Sequence, residues 1–275
     1  MSVNERALAG RRAIVTGASA GIGEAIARSL AAAGASVVIN ARRADRLAAV
    51  AEQIASRGGR VACMSGDAGD DSVVAAMLDT CRAEFGGQAD LVIVNAGRGL
   101  RGSVYDSDPS QWEAVFTVNV LAAAKLMRAA SERMIGVATP QVGAPPAAKP
   151  PEVPGDWPAT ARDIMVLGST VGRNLSPFSS MYGSAKAAVH MLAESLRRTC
   201  GPRGVRVTTI EPGIVASEFQ SVAGYDPVSF GAFMKSIDPV LTPEDVARVV
   251  LFVASQPAGV HLNEVMMRPT RQEYP

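Results

Sequence analysis

Cysteine is scarce in this 275-residue chain: Cys63, Cys81 and Cys200 are unevenly spaced and form no C-x-x-C pair. That excludes a disulfide framework and leaves zinc without a ligand set, so no metal centre is expected and a reducing, cytoplasmic setting is. An excess of charge is lacking too. The 27 basic and 26 acidic residues nearly cancel, to a formal +1, so no field for nucleic acid or a membrane surface is built in. With 48 % hydrophobic and 19 % charged residues the composition is too apolar for disorder and suits small-molecule partners. Met1 to Arg12 holds no apolar core of signal-peptide length, and no later segment gives an uninterrupted apolar run of spanning length. Neither a leader nor a membrane span is therefore expected.

What is present is alternation. Arg12 to Thr16 reads as a strand, followed by Thr16-Gly-Ala-Ser-Ala-Gly-Ile-Gly23 and an alanine-rich helix to Ala33. Glycines at 17, 21 and 23 let the backbone turn tightly and approach a ligand, and the helix starting there aims unpaired N–H groups at a phosphate. A dinucleotide pyrophosphate fits that site. Strand Ala35 to Asn40, helix Asp45 to Arg57, strand Val61 to Ser65, helix Asp71 to Phe85 and strand Leu91 to Val94 follow. The pattern predicts one domain over 1–275: an α/β fold with a doubly wound, Rossmann-like parallel sheet in three α/β/α layers.

An acidic residue is missing where the second strand ends. Ala41, Arg42 and Arg43 stand where an acid would bind the adenosine ribose hydroxyls, and a guanidinium suits a 2′-phosphate, which favours NADP(H) over NAD(H). Asp67, past the third strand, could accept from an adenine amino group or cap the next helix, although Asp70 is better placed for capping. Asn95-Ala96-Gly97 forms a small-residue turn at the carboxyl edge.

Asp108 and Pro109 start a helix to Met134 that is apolar over most of its circumference, which predicts cover on both sides and a subunit interface. Asn119 is its polar exception and needs hydrogen-bond partners. Gly136 to Thr160 carries seven of the chain's 17 prolines and no period, and reads as a loop insertion with Trp157 as a docking point. Strand Ile164 to Leu167 delivers Ser169 to the carboxyl edge. Helix Ser179 to Cys200 follows, then strand Val205 to Ile210, ended by Pro212-Gly213. Ile214 to Val240 mixes aromatics with Gly, Ser and Pro, and reads as a lid over an apolar pocket or as core packing. Thr242-Pro243-Glu244-Asp245 starts a helix, and Val265 to Met267 is a last strand. His190 and His261 read as packed or solvated, and Arg98 and Arg101 as loop residues flanking the cofactor cleft.

Tyr182 and Lys186 lie one helical turn apart, so phenol and ammonium share a face. A free tyrosine has a pKa of about 10, and a lysine charge nearby favours the phenolate. A drop of about three units needs roughly 4 kcal/mol, more than one partly solvated ammonium supplies. A second positive charge is required, and an oxidised nicotinamide ring would provide it.

Taken together, these parts resemble the short-chain dehydrogenase/reductase family from about Gly10 to Arg268, with the proline-rich insert outside the pattern. Thr16-Gly17, Gly21 and Gly23 are similar to its T-G-x-x-x-G-x-G loop, Asn95-Ala96-Gly97 to its N-N-A-G turn, and Asn119, Ser169, Tyr182 and Lys186 to its catalytic tetrad. The resemblance assigns cofactor contacts to Gly17, Ser19, Gly21, Ile22 and Gly23, to Arg42 and Arg43, to Asp67 and Ala68, and to Asn95, Ala96 and Gly97. It adds Tyr182, Lys186, Pro212, Gly213, Val215 and Ser217. It implies hydride transfer between NADP(H) and a carbonyl or alcohol, Tyr182 as general acid, Ser169 bonding the substrate oxygen, Asn119 holding a relay water for Lys186, and a dimer or tetramer. Val94, Ser217 and Ala20 depart from its commonest residues, and Ala20 leaves the phosphate preference to the two arginines. A non-catalytic NADP-binding regulator or scaffold is the rival class, and the intact tetrad argues against it. An NAD-dependent alcohol dehydrogenase running oxidatively would use the same groups. Epimerising or dehydrating relatives usually have a longer chain and a larger carboxyl-terminal region.

Overall fold

The computed structural model describes residues 7–136, 159–174 and 176–273. β1 (Arg12–Thr16), β2 (Ser36–Ala41), β3 (Arg60–Ser65) and β4 (Leu91–Val94) alternate with α1 (Gly21–Ala32), α2 (Ala44–Ala55) and α3 (Asp71–Phe85). After α4 (Trp112–Phe116) and α5 (Ala123–Ile135) come β5 (Arg162–Leu167), α6 (Ser180–Cys200) and β6 (Val205–Pro212). The described chain closes with α7 (Phe219–Val222), α8 (Pro227–Ser236), α9 (Pro243–Ala254) and β7 (Glu264–Met267). All strand pairs are parallel, in the order β3-β2-β1-β4-β5-β6-β7. This is the doubly wound α/β fold that the alternation predicts. Strand order reverses between β1 and β4, so the loops at their carboxyl ends part there and open a crevice.

Successive strand residues face opposite layers. Ala13, Val15, Val37, Ile39, Leu91 and Ile93 pack with helices α1, α2 and α9 through Ile26, Leu30, Leu47, Val246 and Val250. Ile14, Val38, Val92 and Ile164 turn the other way, onto Met77 and Leu78 of α3, Leu126 of α5 and Val189 of α6. Each fully buried aliphatic side chain contributes about 1.5–3 kcal/mol. Cover on both faces is why the inner strands read as continuous apolar runs.

The helix expected from Pro109 to Met134 is not regular. A 3₁₀ turn (Pro109–Gln111) leads into α4, then into a π segment (Thr117–Ala122), then into α5. Asp108 caps its start by accepting from the Ser110 amide at 3.0 Å. Pro109–Ile135 is by length and composition apolar enough to cross a membrane, which corrects the expectation that no segment is. Val115, Ala122, Ala123, Leu126, Met127 and Ala130 are buried in the fold, and that packing accounts for the apolarity of the inward side. Leu121, 57 % exposed, is on the outer side. Asp70 also departs from expectation: it sits at the N-cap of α3 without a capping bond, while Asp67 Oδ1 accepts from the Gly69 amide at 2.8 Å. Thr242 and Asp245 form the capping box their sequence announces. Of the 136–160 insertion only Gly136, Ala159 and Thr160 are described, and Trp157 lies outside the described residues.

At the amino edge of the sheet, opposite the crevice, four charges are buried together. Arg11 reaches Asp90 at 2.6 Å and Asp163 at 2.7 Å, and Arg206 reaches Asp163 at 2.7 Å. Arg206 also donates to the carbonyls of Gln256, Pro257 and Val260, tying the end of α9 to β6. Replacing Asp163 by Ala leaves two buried guanidiniums without their shared carboxylate. Urea unfolding should then report a loss of about 3–5 kcal/mol, and a loss below about 1 kcal/mol would contradict this role.

Candidate active site

Six strand ends deliver short loops to one edge, and the site is built from them. After β1, Gly17 and Gly21 take φ values of 66° and 57°, which glycine adopts without strain. A Cβ at Gly17 would lie 2.8 Å from Asn95 Nδ2, so the loop also needs glycine for close approach. Asn95 Nδ2 donates to the Thr16 carbonyl at 2.8 Å, and Thr16 Oγ1 accepts from the amides of Asn95 and Ala96 at 3.1 Å each. These bonds lock the glycine loop to the Asn95-Ala96-Gly97 turn. Ala20 stands at the N-cap of α1 and provides no side-chain capping bond. Its first N–H groups thus lack a capping partner, as a pyrophosphate site requires.

Ser169 follows β5 in an extended conformation, and its Oγ accepts from the Val171 amide at 3.4 Å. The same hydroxyl is 3.5 Å from the Pro212 carbonyl at the end of β6 and shares a hydrogen bond with the Tyr182 hydroxyl. Lys186, one turn along α6, is buried and donates from Nζ to the Leu167 carbonyl at 2.6 Å. Burial lowers its pKa to about 8. Nζ lies 5.7 Å from the centroid of the Tyr182 ring.

The tyrosine itself differs from the sequence-based expectation. Burial raises its pKa well above the ordinary value, and the bond with Ser169 offsets only part of that. Desolvation wins because the lysine sharing the helix face is turned to a carbonyl. The need for a second positive charge is correspondingly larger.

Asn119 sits within the π segment. Its Nδ2 donates to the carbonyls of Arg98 at 2.8 Å and Val115 at 2.9 Å, the second being the carbonyl one α-turn back that a π turn releases. The buried Oδ1 has no hydrogen-bond partner among the described residues. A Cβ at Gly97 would lie 2.7 Å from this oxygen and 3.7 Å from Lys186 Nζ, so both polar atoms face one glycine.

The arginines divide. Arg43 turns back onto the glycine loop, with Nη2 3.1 Å from Ser19 Oγ, whereas Arg42 is exposed at the strand end. Ala68 is buried and Asp67 is exposed at the far side of the crevice. Ile22 packs into the core from α1, and Val215 is buried in a bridge to Leu241. Gly213 is held by its amide to the Met267 carbonyl at 2.8 Å. Ser217 Oγ accepts from the Phe219 amide at 3.3 Å and lies beside the glycine loop, where a Cβ at Gly21 would be 3.5 Å from Ser217 Cβ. The segment expected as a lid holds α7 and α8, and the Phe219 ring lies 5.3 Å from that of Tyr182. Arg98 is bonded to Gln111 at 2.6 Å.

Residues 11–143 and 159–226 match the sequence profile of a family described as short chain dehydrogenase. An uncharacterized oxidoreductase of Staphylococcus aureus is 30 % identical over 257 residues, which span 94 % of this chain and 96 % of that protein. A short-chain type dehydrogenase/reductase from Mycobacterium marinum superposes with a TM-score of 0.79 at 26 % identity, covering 97 % of each chain. A short chain dehydrogenase from Burkholderia cenocepacia, solved with NADP, gives 0.77 at 27 % identity, covering 98 % of this chain and 100 % of that one.

Sequence reasoning misses the groups behind Ser169. His190 Nε2 accepts the Ser169 amide at 3.3 Å, and a Cβ at Gly172 would meet the same ring. That bond fixes the neutral tautomer with the proton on Nδ1, which faces Glu211 Oε1 at 3.8 Å. Glu211, fully buried next to Pro212, bonds Arg173 Nε at 2.6 Å, and Arg173 also pairs with Glu264. Gln272 Oε1 accepts the Ile214 amide at 2.9 Å and so supports the turn after β6. The one signal available was that His190 follows Lys186 by a helical turn.

Burial, then the charges of Lys186 and Arg173, push the His190 pKa from 6.5 down to about 4. The unfolded chain takes up that proton near 6.5 and the folded chain only near 4. The stability due to the neutral ring is therefore complete above about 6.5 and is lost as pH falls towards about 4. His261 is shifted down by burial as well. Urea midpoints measured across this window should fall in the natural chain and fall less steeply in His190→Phe. Equal slopes would show that His190 does not titrate in this way.

Proposed function

The chain belongs to the short-chain dehydrogenase/reductase family of NAD(P)-dependent oxidoreductases, and on that premise we propose that it interconverts a carbonyl and an alcohol with NADP(H) as preferred cofactor and Tyr182 as acid and base. The observation that carries this reading is the meeting of Ser169, Tyr182 and Lys186 at the carboxyl edge, beside a glycine loop whose helix start is uncapped. Arg43 on Ser19 supports the 2′-phosphate, and the Burkholderia neighbour was solved with NADP.

The residues fit the cofactor. The loop Gly17, Ser19, Gly21, Ile22 and Gly23 would hold the pyrophosphate, and Arg43, with Arg42 beside it, the 2′-phosphate. Asp67 and Ala68 would border the adenine, and Asn95, Ala96 and Gly97 would lie under the dinucleotide. Lys186 would bond the nicotinamide ribose, and Pro212, Gly213, Val215 and Ser217 would border the carboxamide. Bound there, NADP(H) supplies or accepts the hydride and, when oxidised, a positive charge.

The chain's own groups handle the proton. The Ser169 hydroxyl, already bonded with Tyr182, orients the substrate oxygen. Tyr182, whose pKa is raised by burial, holds its proton at neutral pH and is set to give it to that oxygen in reduction. Lys186, brought by burial to about 8, can exchange protons near neutrality, and Asn119 Oδ1 faces the same glycine as a second polar site on that route. Phe219 over Tyr182 excludes water from one side. The three free cysteines suit a reducing cytoplasm. Exposed Leu121, Met191 and Leu192 are apolar surface that a dimer or tetramer would cover.

Two substitutions test the reading. Tyr182→Phe should lower NADPH-dependent reduction of the best carbonyl by on the order of 10²–10⁴ while NADPH still binds, and undiminished turnover would overturn the assignment. Arg43→Ala should weaken NADPH binding by roughly tenfold or more and change NADH binding little. Equal losses for both nucleotides would refute the 2′-phosphate role.

A further inference from the structure

Glu218 lies in the lid segment, immediately before α7. Its carboxylate spans both arginines at the glycine loop: each oxygen lies 2.9 Å from Arg46 Nη1, and Oε2 lies 3.4 Å from Arg43 Nη1. The hydrogen bonds from Arg46, then Arg43, hold this carboxyl below its usual range. Ser19, Gly21, Arg46, Ser217 and Glu218 line one cleft of about 360 Å³ between the glycine loop, α2 and the lid. Arg43 thus makes two contacts at once, Ser19 on the loop and Glu218 on the lid.

The next residue points the other way. Phe219 packs on the Tyr182 ring, and a Cβ at Gly99 would lie 2.5 Å from Phe219 Cζ and 2.6 Å from Ala223 Cβ, so glycine at 99 admits this close seating. One short element is therefore pinned by a carboxylate at the adenosine end of the crevice and by a ring at the reacting end.

We infer that Glu218 is an internal competitor for the cofactor's 2′-phosphate, and that a 2′-phosphorylated nucleotide, by taking Arg43 and Arg46, releases the lid from Tyr182. The inference rests on the NADP(H) reading above. A carboxylate and a phosphate dianion cannot both be held closely by the same exposed guanidiniums: the phosphate brings more charge and more acceptor oxygens, and like charges repel. A nucleotide with a free 2′-hydroxyl brings no such charge and leaves the latch closed. Glu218 therefore lowers affinity for both phosphorylated forms, oxidised and reduced, and makes lid opening a response to the correct cofactor.

The test uses the full chain and Glu218→Gln, an exposed change that keeps the side-chain shape. Dissociation constants for NADPH and NADH are measured by fluorescence titration. Deuterium exchange of residues 218–236 is measured with no nucleotide, with adenosine 2′,5′-bisphosphate and with adenosine 5′-phosphate. Exposed ion pairs are weak singly, so the variant should tighten NADPH binding by about three- to tenfold and leave NADH within about twofold. The bisphosphate should raise lid exchange in the natural chain and the monophosphate should not, while the variant should show raised exchange without any nucleotide. Unchanged discrimination between NADPH and NADH in the variant overturns the latch alone. Loss of NADH affinity in the variant would mark Glu218 as a ribose ligand and also overturns the latch. Failure of the natural chain to prefer NADPH overturns the NADP(H) reading and the latch with it.

Discussion

The bond from Lys186 Nζ to the Leu167 carbonyl ties α6 to the end of β5, and the rest of the site is aligned by that tie. It brings Tyr182, one turn earlier, to the hydroxyl of Ser169, two residues beyond Leu167. It also fixes an ammonium in a buried place, where desolvation moves it towards neutrality instead of letting it act as a full surface charge. The tyrosine is desolvated in the same step, and the free protein therefore stores a neutral phenol. On the proposed reading, a positive cofactor ring would be the missing electrostatic partner, and the acid would be tuned only with the cofactor in place.

A doubly covered parallel sheet makes this arrangement possible. All strands run one way, so their carboxyl ends collect the loops of β1, β4, β5 and β6 at one edge while the amino edge is free for stabilising charges. Arg11, Asp90, Asp163 and Arg206 are buried there, away from the crevice. Behind Ser169, the chain of His190, Glu211 and Arg173 links α6, β6 and the turn after β5, three elements that carry site residues. Rigidity of the candidate site thus comes from polar contacts as well as from packing.

The sequence is most informative where function depends on neighbours along the chain. The glycine loop, the Asn95-Ala96-Gly97 turn and the Tyr182–Lys186 spacing are each set by local geometry, and strand and helix order follows from short continuous apolar runs alternating with helical stretches. Interactions between distant residues are hidden. Glu218 meets Arg46 across 172 positions, Gln272 meets Ile214 across 58 and Glu211 meets Arg173 across 38, and no local pattern announces them. The π segment escapes notice because apolar residues around a whole circumference fit either helix period, and the backbone bonding that distinguishes them is not written in the residue types. The pKa of Tyr182 was open to error because spacing shows that a lysine is near but not that its ammonium is aimed at Leu167.

The central claim is that the carboxyl edge of the sheet passes hydride between NADP(H) and a carbonyl carbon while Tyr182 passes the proton. Incubating the chain with NADPH dideuterated at nicotinamide C4 and a panel of ketones, aldehydes and β-keto esters, and reading the alcohols formed by mass spectrometry, tests it most directly. The account predicts deuterium on the carbinol carbon of at least one product in the natural chain and a rate of transfer lower by on the order of 10²–10⁴ with Tyr182→Phe. Nucleotide binding without deuterium transfer to any of these carbonyls, or transfer undiminished in Tyr182→Phe, would contradict it.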